Sequence, residues 1–340
     1  MNSVKRSLLI TILISIVSVG LVLWLTMSID DPIDLSKIDP FYLLLALSFH
    51  VGSWFFWSER MKILVEASGG HLSFPKSFKI LVSCFFAAGI TPSEVGGEPV
   101  KIYLLTEENM TFGDATAVVV TERFLDVIFL VLISPLGLFI FRDLVLSGGL
   151  IVIPIIAVSF FVSVFSLLVL IIYRPEMVKS ISTILFDIVL EIWRTERMQR
   201  LISRILKEIG SFIDGMWIIS RKRSELTLAS GCTVARWLID LCVAPLILMG
   251  LGSEPYFIHS FAAQILLVVL LLAPITPGGS GIAEIGSAAI FSTFVKGAPV
   301  GLFVVIFRLI TYHVNLIVGA VASIIALKDL KIIKNILDLD

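Results

Sequence analysis

The sequence predicts an all-α polytopic membrane protein, with about six full spans plus two re-entrant helical hairpins arranged as an inverted-topology repeat. Three observations carry that prediction. Apolar residues make up 57% of the chain and charged ones 16%, and the mean hydropathy is +1.02, values that belong to a polytopic membrane protein and not a soluble enzyme. A motif recurs at an offset of 185 positions: A-G-I-T-P-S-E-V-G-G-E at 88–98 answers A-P-I-T-P-G-G-S-G-I-A-E at 273–284. Lysine and arginine are distributed very unevenly among the connecting segments.

Apolar runs long enough to cross a bilayer lie at about 8–27, 40–57, 115–141, 150–173, 226–250 and 300–327. The first follows Lys5 and Arg6 without a small-x-small cleavage site before Asp30, and reads as an uncleaved span. Two more runs, 77–106 and 257–294, are each broken by the Thr-Pro/Gly element. Cations cluster at Lys5 and Arg6, at Arg60, Lys62, Lys76 and Lys79, through 174–225, and at Lys328, Lys331 and Lys334. The segments 28–39, 142–149, 251–256 and 295–299 carry only Lys37, Arg142 and Lys296. The positive-inside rule then places both termini in the cytoplasm of a cell (plasma or inner) membrane. Threading the spans on that basis makes 77–106 enter and leave on the cytoplasmic side, and 257–294 on the outer side.

The 185 offset supports this threading independently. Ala88, Ile90, Thr91, Pro92, Gly96 and Arg123 recur as Ala273, Ile275, Thr276, Pro277, Gly281 and Arg308, and a one-residue slip aligns Glu98 with Glu284. Residues 40–141 form one unit of span, hairpin and span, and 226–327 form its inverted counterpart. Breaker residues at matched places in two halves are the sequence sign of a duplicated transporter.

Between the units, 174–225 holds ten Lys/Arg and seven Asp/Glu. Ile181, Ile184, Leu185, Ile188, Val189 and Ile192 follow helical spacing, and Met198, Leu201, Ile202, Ile205, Ile209, Phe212, Ile213, Met216 and Trp217 resume it after the R-T-E-R break. These are two amphipathic cytoplasmic linker helices, suited to the headgroup layer or to packing on the spans.

Ionisable groups at membrane depth are costly and mark sites. The first hairpin offers Glu94, Glu98 and Lys101, with Pro99 suited to open a half-helix behind Glu98 as its cap. The next span carries Glu122, Arg123 and Asp126. The second half offers Arg236 and Asp240 at i, i+4 spacing, Glu284 at the hairpin tip, and the stripe Arg308, Tyr312, Asn315. The turn Gly278-Gly279-Ser280-Gly281 before a helix can present backbone N–H groups to a phosphate. Bland readings stand beside these: Arg236/Asp240 as an internal salt bridge, Glu98 and Glu284 as helix caps, His50 and His313 as satisfied core residues. Cys84, Cys232 and Cys242 read as small buried hydrophobes. No metalloprotease, nucleophile-elbow or P-loop pattern is present. A net charge of −1 gives no reason to expect nucleic acid, and no cofactor is indicated.

With G-G-E-P-V-K at 96–101, T-E-R-F-L-D at 121–126, T-P-G-G-S-G-I-A-E at 276–284 and Arg308 with Tyr312, the chain resembles the flippase-like membrane domain of lysylphosphatidylglycerol synthases and its free-standing relatives in bacteria and archaea. The resemblance implies a helical bundle with two re-entrant hairpins that moves a phosphate-bearing lipid, of phospho- or polyprenyl type, between leaflets. Full-length synthases add an aminoacyl-transferase domain after the last span, where this chain stops at Asp340, so the expectation is a non-enzymatic role. The expected partners are anionic or phosphate-bearing membrane lipids, with a homo-oligomer allowed. The expected cargo contacts are Glu98, Lys101, Glu122, Arg123, Asp126, Gly278, Gly279, Ser280, Gly281, Glu284, Arg308 and Tyr312. The rival readings are a membrane subunit or enzyme of polyprenyl-phosphate glycolipid synthesis and a non-catalytic scaffold.

Overall fold

The computed structural model describes residues 38–91, 95–143, 166, 170–171, 173–192, 196–271, 276, 278–295 and 299–329. The expected span at 8–27 and most of that at 150–173 lie outside the described residues, as does Glu94. All described elements are helical. In chain order, α1 is Pro40–Ala67, α2 Phe74–Gly89, α3 Gly97–Thr106, α4 Phe112–Ile140, α5 Pro175–Ile192, α6 Glu196–Arg221, α7 Arg223–Leu241, α8 Val243–Gly250, α9 Phe257–Leu271, α10 Ile282–Phe291 and α11 Pro299–Arg308. A π-helical turn at Leu309–His313 then leads into α12, Val314–Asp329.

Among these residues four stretches are long and apolar enough to cross a membrane: Pro40–Ala67, Phe112–Ile140, Arg223–Gly250 and Val300–Ile325. α1 opens on Pro40, with Asp39 Oδ1 accepting from Phe41 N–H at 2.9 Å, a proline start with a side-chain cap. It runs ten residues beyond its expected end at 57, because Ser58-Glu59-Arg60 interrupts hydropathy without breaking the helix. Met61, Leu64 and Val65 in that extension are buried.

The two broken runs each form a pair of helices, α2 with α3 and α9 with α10, packed against one another. Their 16, 10, 15 and 10 residues reach about 15–24 Å at 1.5 Å per residue. None spans a hydrocarbon core of about 30 Å alone. The 185 offset carries Gly97–Thr106 onto Ile282–Phe291 end to end.

Two proline-containing spans show how the backbone copes without water. Pro245 leaves the Leu241 carbonyl without its helical N–H partner, and Gln264 of α9 donates to it at 2.6 Å. The expected single span 226–250 is thus bent into α7 and α8 at Cys242. Pro135 similarly frees the Val131 carbonyl within α4, and the Ser134 hydroxyl points to it at 3.4 Å. Such freed groups in a bilayer are re-satisfied by neighbouring side chains.

α7 lies along α1, α12 along α2, α9 against α4, and α6 along α4. The linker helix α6 is therefore docked on the bundle: Ile213, Met216 and Ile219 are buried, and Glu208 accepts from Gly113 N–H at 2.8 Å. The apolar interior falls into two main clusters. One gathers Trp54, Met61, Leu64, Leu81, Phe85, Val118 and Ile213. The other gathers Val243, Ile247, Ala262, Leu266, Phe291, Phe303 and Val304. Outward-facing Phe41, Leu44, Phe55, Leu132, Leu136, Phe139, Ile317, Val321 and Ile324 are exposed, as residues in contact with lipid tails would be.

Candidate functional site

The hairpin tips meet between the two halves. Gly278 N–H donates to the Thr91 carbonyl at 3.0 Å, and the Tyr312 hydroxyl donates to the Gly89 carbonyl at 2.9 Å. At Gly278 the backbone has φ +57°, and an added Cβ would lie 2.6 Å from Gly89 O and 2.5 Å from the Tyr312 ring. A side chain there would be strained and would force the tips apart.

Each half carries one carboxylate–arginine pair beside its tip, and they differ in exposure. In the first, Arg123 of α4 donates through Nε to Glu98 Oε1 at 2.7 Å, with Nη2 on the same oxygen. In the second, Arg308 Nε donates to Glu284 Oε1 at 3.0 Å, and its Nη2 points to the Gly278 carbonyl at 3.2 Å and the Ser280 hydroxyl at 3.4 Å. The Arg123 side chain is 47% exposed, that of Arg308 only 6%. Arg308 also lies 4.1 Å from the centre of the Tyr312 ring.

Glu98 does not cap α3 as expected. The helix begins at Gly97, one residue earlier, and the carboxylate turns to Arg123 instead. Glu284 is the third residue of α10 and accepts from Gly281 N–H at 2.6 Å, where Gly281 holds φ +91°. Both Glu284 oxygens are thus engaged and the residue is fully buried. Three of the turn's four amides are also occupied: Gly278 on Thr91, Gly279 on the Thr276 carbonyl, Gly281 on Glu284. An anion would have to displace these bonds to be cradled there.

Behind Arg123 lies a buried charge network centred on Asp126. Arg60 of α1 forks onto it, Nη1 to Oδ1 at 2.8 Å and Nη2 to Oδ2 at 3.1 Å, the strong bidentate form. Arg236 Nη1 and Trp237 Nε1 of α7 reach the same Oδ1 at 2.8 and 3.0 Å. Glu122 accepts from Arg60 Nε at 3.3 Å and from Lys101 Nζ at 2.8 Å. Among the described residues this network, joined through Arg123 to Glu98, sets four cations against three carboxylates, and Asp240 also lies close enough to act on Arg236. Three of the cations surround one indole: Lys101, Arg123 and Arg236 lie 5.3, 5.9 and 4.3 Å from the Trp57 ring centre, within the range where a ring face attracts a cation.

Two expectations are corrected here. Arg60, which the sequence groups with the cytoplasmic cations, is 1% exposed and paired inside the bundle. Arg236 and Asp240 do not pair with each other: Arg236 goes to Asp126, and Asp240 to His50 Nδ1 at 2.8 Å. Their i, i+4 spacing places them on one helix face, but each finds a partner on another helix. Trp57, an apolar residue within an apolar run and so without a sequence signal of its own, stands three residues before Arg60 on the same side of α1.

A cavity of about 50 Å³ opens between the halves, lined by Trp57, Cys84, Phe85, Glu98, Lys101, Arg123, Tyr312 and Asn315 among others. Glu98 Oε2 and Trp57 Nε1 are buried without a hydrogen-bond partner among the described residues. The volume holds a few waters and is far below the several hundred Å³ of a drug-sized ligand site. Of the expected contacts, Glu98, Lys101, Arg123 and Tyr312 line the cavity. Glu122 and Asp126 stand behind it in the network, and Gly278–Gly281, Glu284 and Arg308 form the opposing tip. Among the described residues no cluster of His, Cys, Asp or Glu has the arrangement of a metal site, and the three cysteines are free thiols.

The family described as lysylphosphatidylglycerol synthase TM region matches residues 8–319 of the chain. The chain is similar to a UPF0104 membrane protein of Archaeoglobus fulgidus, 31% identical over 295 residues that cover 86% of this chain and 89% of that one. It is similar also to UPF0104 membrane proteins of Pyrococcus horikoshii, 23% identical over 97% of this chain and 98% of that one, and of Methanocaldococcus jannaschii, 26% identical over 87% and 88%. No solved structure matches it significantly. The match over residues 8–319, with the 31% identity to the Archaeoglobus fulgidus protein, makes the chain a membrane protein that belongs to the lysylphosphatidylglycerol synthase transmembrane-region family.

Proposed function

We propose that the protein moves a phosphate-bearing lipid between membrane leaflets, with Arg123 as the residue that first engages the headgroup. The observation that carries this is the cluster of Arg60, Lys101, Arg123 and Arg236 beside the cavity, fronted by the half-exposed guanidinium of Arg123. Charged groups at membrane depth are costly to keep and mark places where an oppositely charged partner can bind. A phosphate displacing Glu98 from Arg123 would supply that partner. The cavity is too small for a headgroup while the tips touch, so transport requires the hairpins to separate, and opposed hairpins around a central site give a route to alternating access.

The reading rests on the inverted repeat, with units 40–141 and 226–327, hairpins entering from opposite sides, and both termini in the cytoplasm of the cell membrane. Cysteines placed at the exposed positions Ser73 and Glu107 should both react with an impermeant maleimide from the cytoplasm, and ones at Glu254 and Ser292 both from outside. Opposite-side labelling within either pair would remove the re-entrant geometry. Transport itself is tested by reconstituting the full chain in vesicles of phosphatidylcholine and phosphatidylglycerol, and following dithionite quenching of fluorescent phosphatidylglycerol. Protein-dependent exposure of the inner-leaflet probe is expected; vesicles indistinguishable from protein-free ones would refute movement of this lipid class.

A further inference from the structure

His50 occupies a position unlike that of the other described histidines. His71 and His259 are exposed and His313 is half-buried, whereas His50 is 4% exposed, in the middle of α1. Its Nδ1 lies 2.8 Å from Asp240 Oδ1 of α7, and its Nε2 lies 2.9 Å from Asn315 Oδ1 of α12. The orientation of the Asn315 amide is set from its other side, because Nδ2 donates to the Thr311 carbonyl at 2.9 Å. Turning the amide over would place two oxygens face to face. A carboxylate and an amide oxygen both accept only. A neutral imidazole has one N–H and would present a lone pair to one of them, whereas the doubly protonated ring satisfies both.

We propose that His50, held between Asp240 and Asn315, is the proton-binding site through which a proton gradient drives the conformational cycle, an inference that rests on the transport reading above. With its proton the ring ties α1, α7 and α12 together. When Nε2–H ionises, the proton leaves on the side of Asn315, which lines the cavity. A nitrogen lone pair then faces the Asn315 oxygen, and α12 is pushed from α1. Asn315 stands just after the π-helical turn at Leu309–His313, an irregularity common at functional sites. That turn carries Tyr312, bonded to Gly89 on one hairpin tip, and it follows Arg308, bonded to Glu284 and Gly278 on the other. Movement of α12 therefore reaches both tips at once.

The surroundings leave Asp240 as the counter-charge. Arg236, one turn earlier on α7, opposes a proton on the ring but is itself engaged by Asp126. α8 contains no ionisable residue, and α12 offers the neutral Asn315. α2 reaches this part of α1 with Phe85 against Trp54, whose ring lies edge-on to His50 at 5.6 Å. His313 directs Nδ1 to the Arg308 carbonyl at 3.0 Å. Arg60 of α1 and Asp126 of α4 are paired in the charge network.

The test combines two measurements on the full chain in phosphatidylcholine/phosphatidylglycerol vesicles. First, the steady-state leaflet ratio of fluorescent phosphatidylglycerol is followed with and without a gradient of about one pH unit. One proton per lipid shifts that ratio by up to about tenfold in the wild type, and His50→Gln abolishes the shift. Second, solid-state NMR of ¹⁵N-histidine protein reads the ring directly at about pH 8, where free histidine is neutral. A doubly protonated ring is expected in the wild type, assigned by its absence from His50→Gln and by conversion to a neutral ring in Asp240→Asn. Lipid movement that ignores the gradient overturns the coupling and leaves the transport reading standing. Absence of any lipid movement overturns the transport reading for this lipid, and the ring's protonation then decides the proton site alone. A neutral His50 at about pH 8 overturns it. Should His50→Gln fail to fold, Asp240→Asn supplies both arms.

Discussion

Replacing Arg123 by glutamine is expected to reduce lipid movement about a hundredfold, to the level of protein-free vesicles, while the bundle still folds. Its guanidinium is half exposed at the cavity, and its partner Glu98 retains Lys101 nearby. A charge-assisted hydrogen bond contributes about 1.5–3 kcal/mol, so losing two such contacts to a phosphate accounts for the loss. The matched residue of the second half behaves differently. Arg308 is buried and holds the glycine turn closed, and Arg308→Gln would leave Glu284 charged and fully buried. Breaking a buried pair in this way costs about 3–5 kcal/mol. Arg308→Gln should therefore appear first as a lowered melting temperature, and Arg123→Gln as lost transport at an unchanged one. Full transport in a folded Arg123→Gln protein would move the cargo site elsewhere.

Asp126→Asn should destabilise the protein more than any other single change in the network. The carboxylate takes both arms of Arg60, one nitrogen of Arg236 and the indole N–H of Trp237. Its neutralisation leaves two buried guanidinium groups, Arg60 with only Glu122 and Arg236 with only the more distant Asp240, and α1, α4 and α7 lose their common anchor. A loss of about 3–5 kcal/mol approaches the whole stability of many domains, so the variant should melt far lower in lipid or fail to accumulate. Because Arg60, Glu122 and Asp126 are buried, the wild-type melting point should respond little to added salt, unlike that of a surface ion pair. A variant that melts like the wild type would show that the helices are held by apolar packing alone.

How much of this was legible without coordinates follows from how each interaction is made. The broken runs were readable because glycine and proline act on their own backbone, and the helices Gly97–Thr106 and Ile282–Phe291 fall where the motif offset places them. The pairing of each hairpin acid with an arginine had a sequence signal, since Glu98 with Arg123 recurs as Glu284 with Arg308. Arg60 had a weak one: hydropathy dropped at Ser58-Glu59-Arg60, although Met61, Leu64 and Val65 continue the apolar face. Arg236 and Asp240 misled, because spacing along one helix says which residues share a face and nothing about what lies opposite.

The sequence alone determined that the chain is an α-helical membrane protein, that its two Thr-Pro/Gly runs are broken, which family it resembles, and that its two halves carry matching polar elements. These follow from composition and local backbone chemistry, which act over a few residues. Tertiary structure alone decided which charges pair, that Arg123 faces the cavity while Arg308 is sealed in a turn, and that His50 sits between two acceptors. Those outcomes depend on contacts between helices distant in the chain. Inside an apolar bundle a charge takes whichever partner the packing brings within hydrogen-bond reach, because leaving it alone costs more than any local preference can repay.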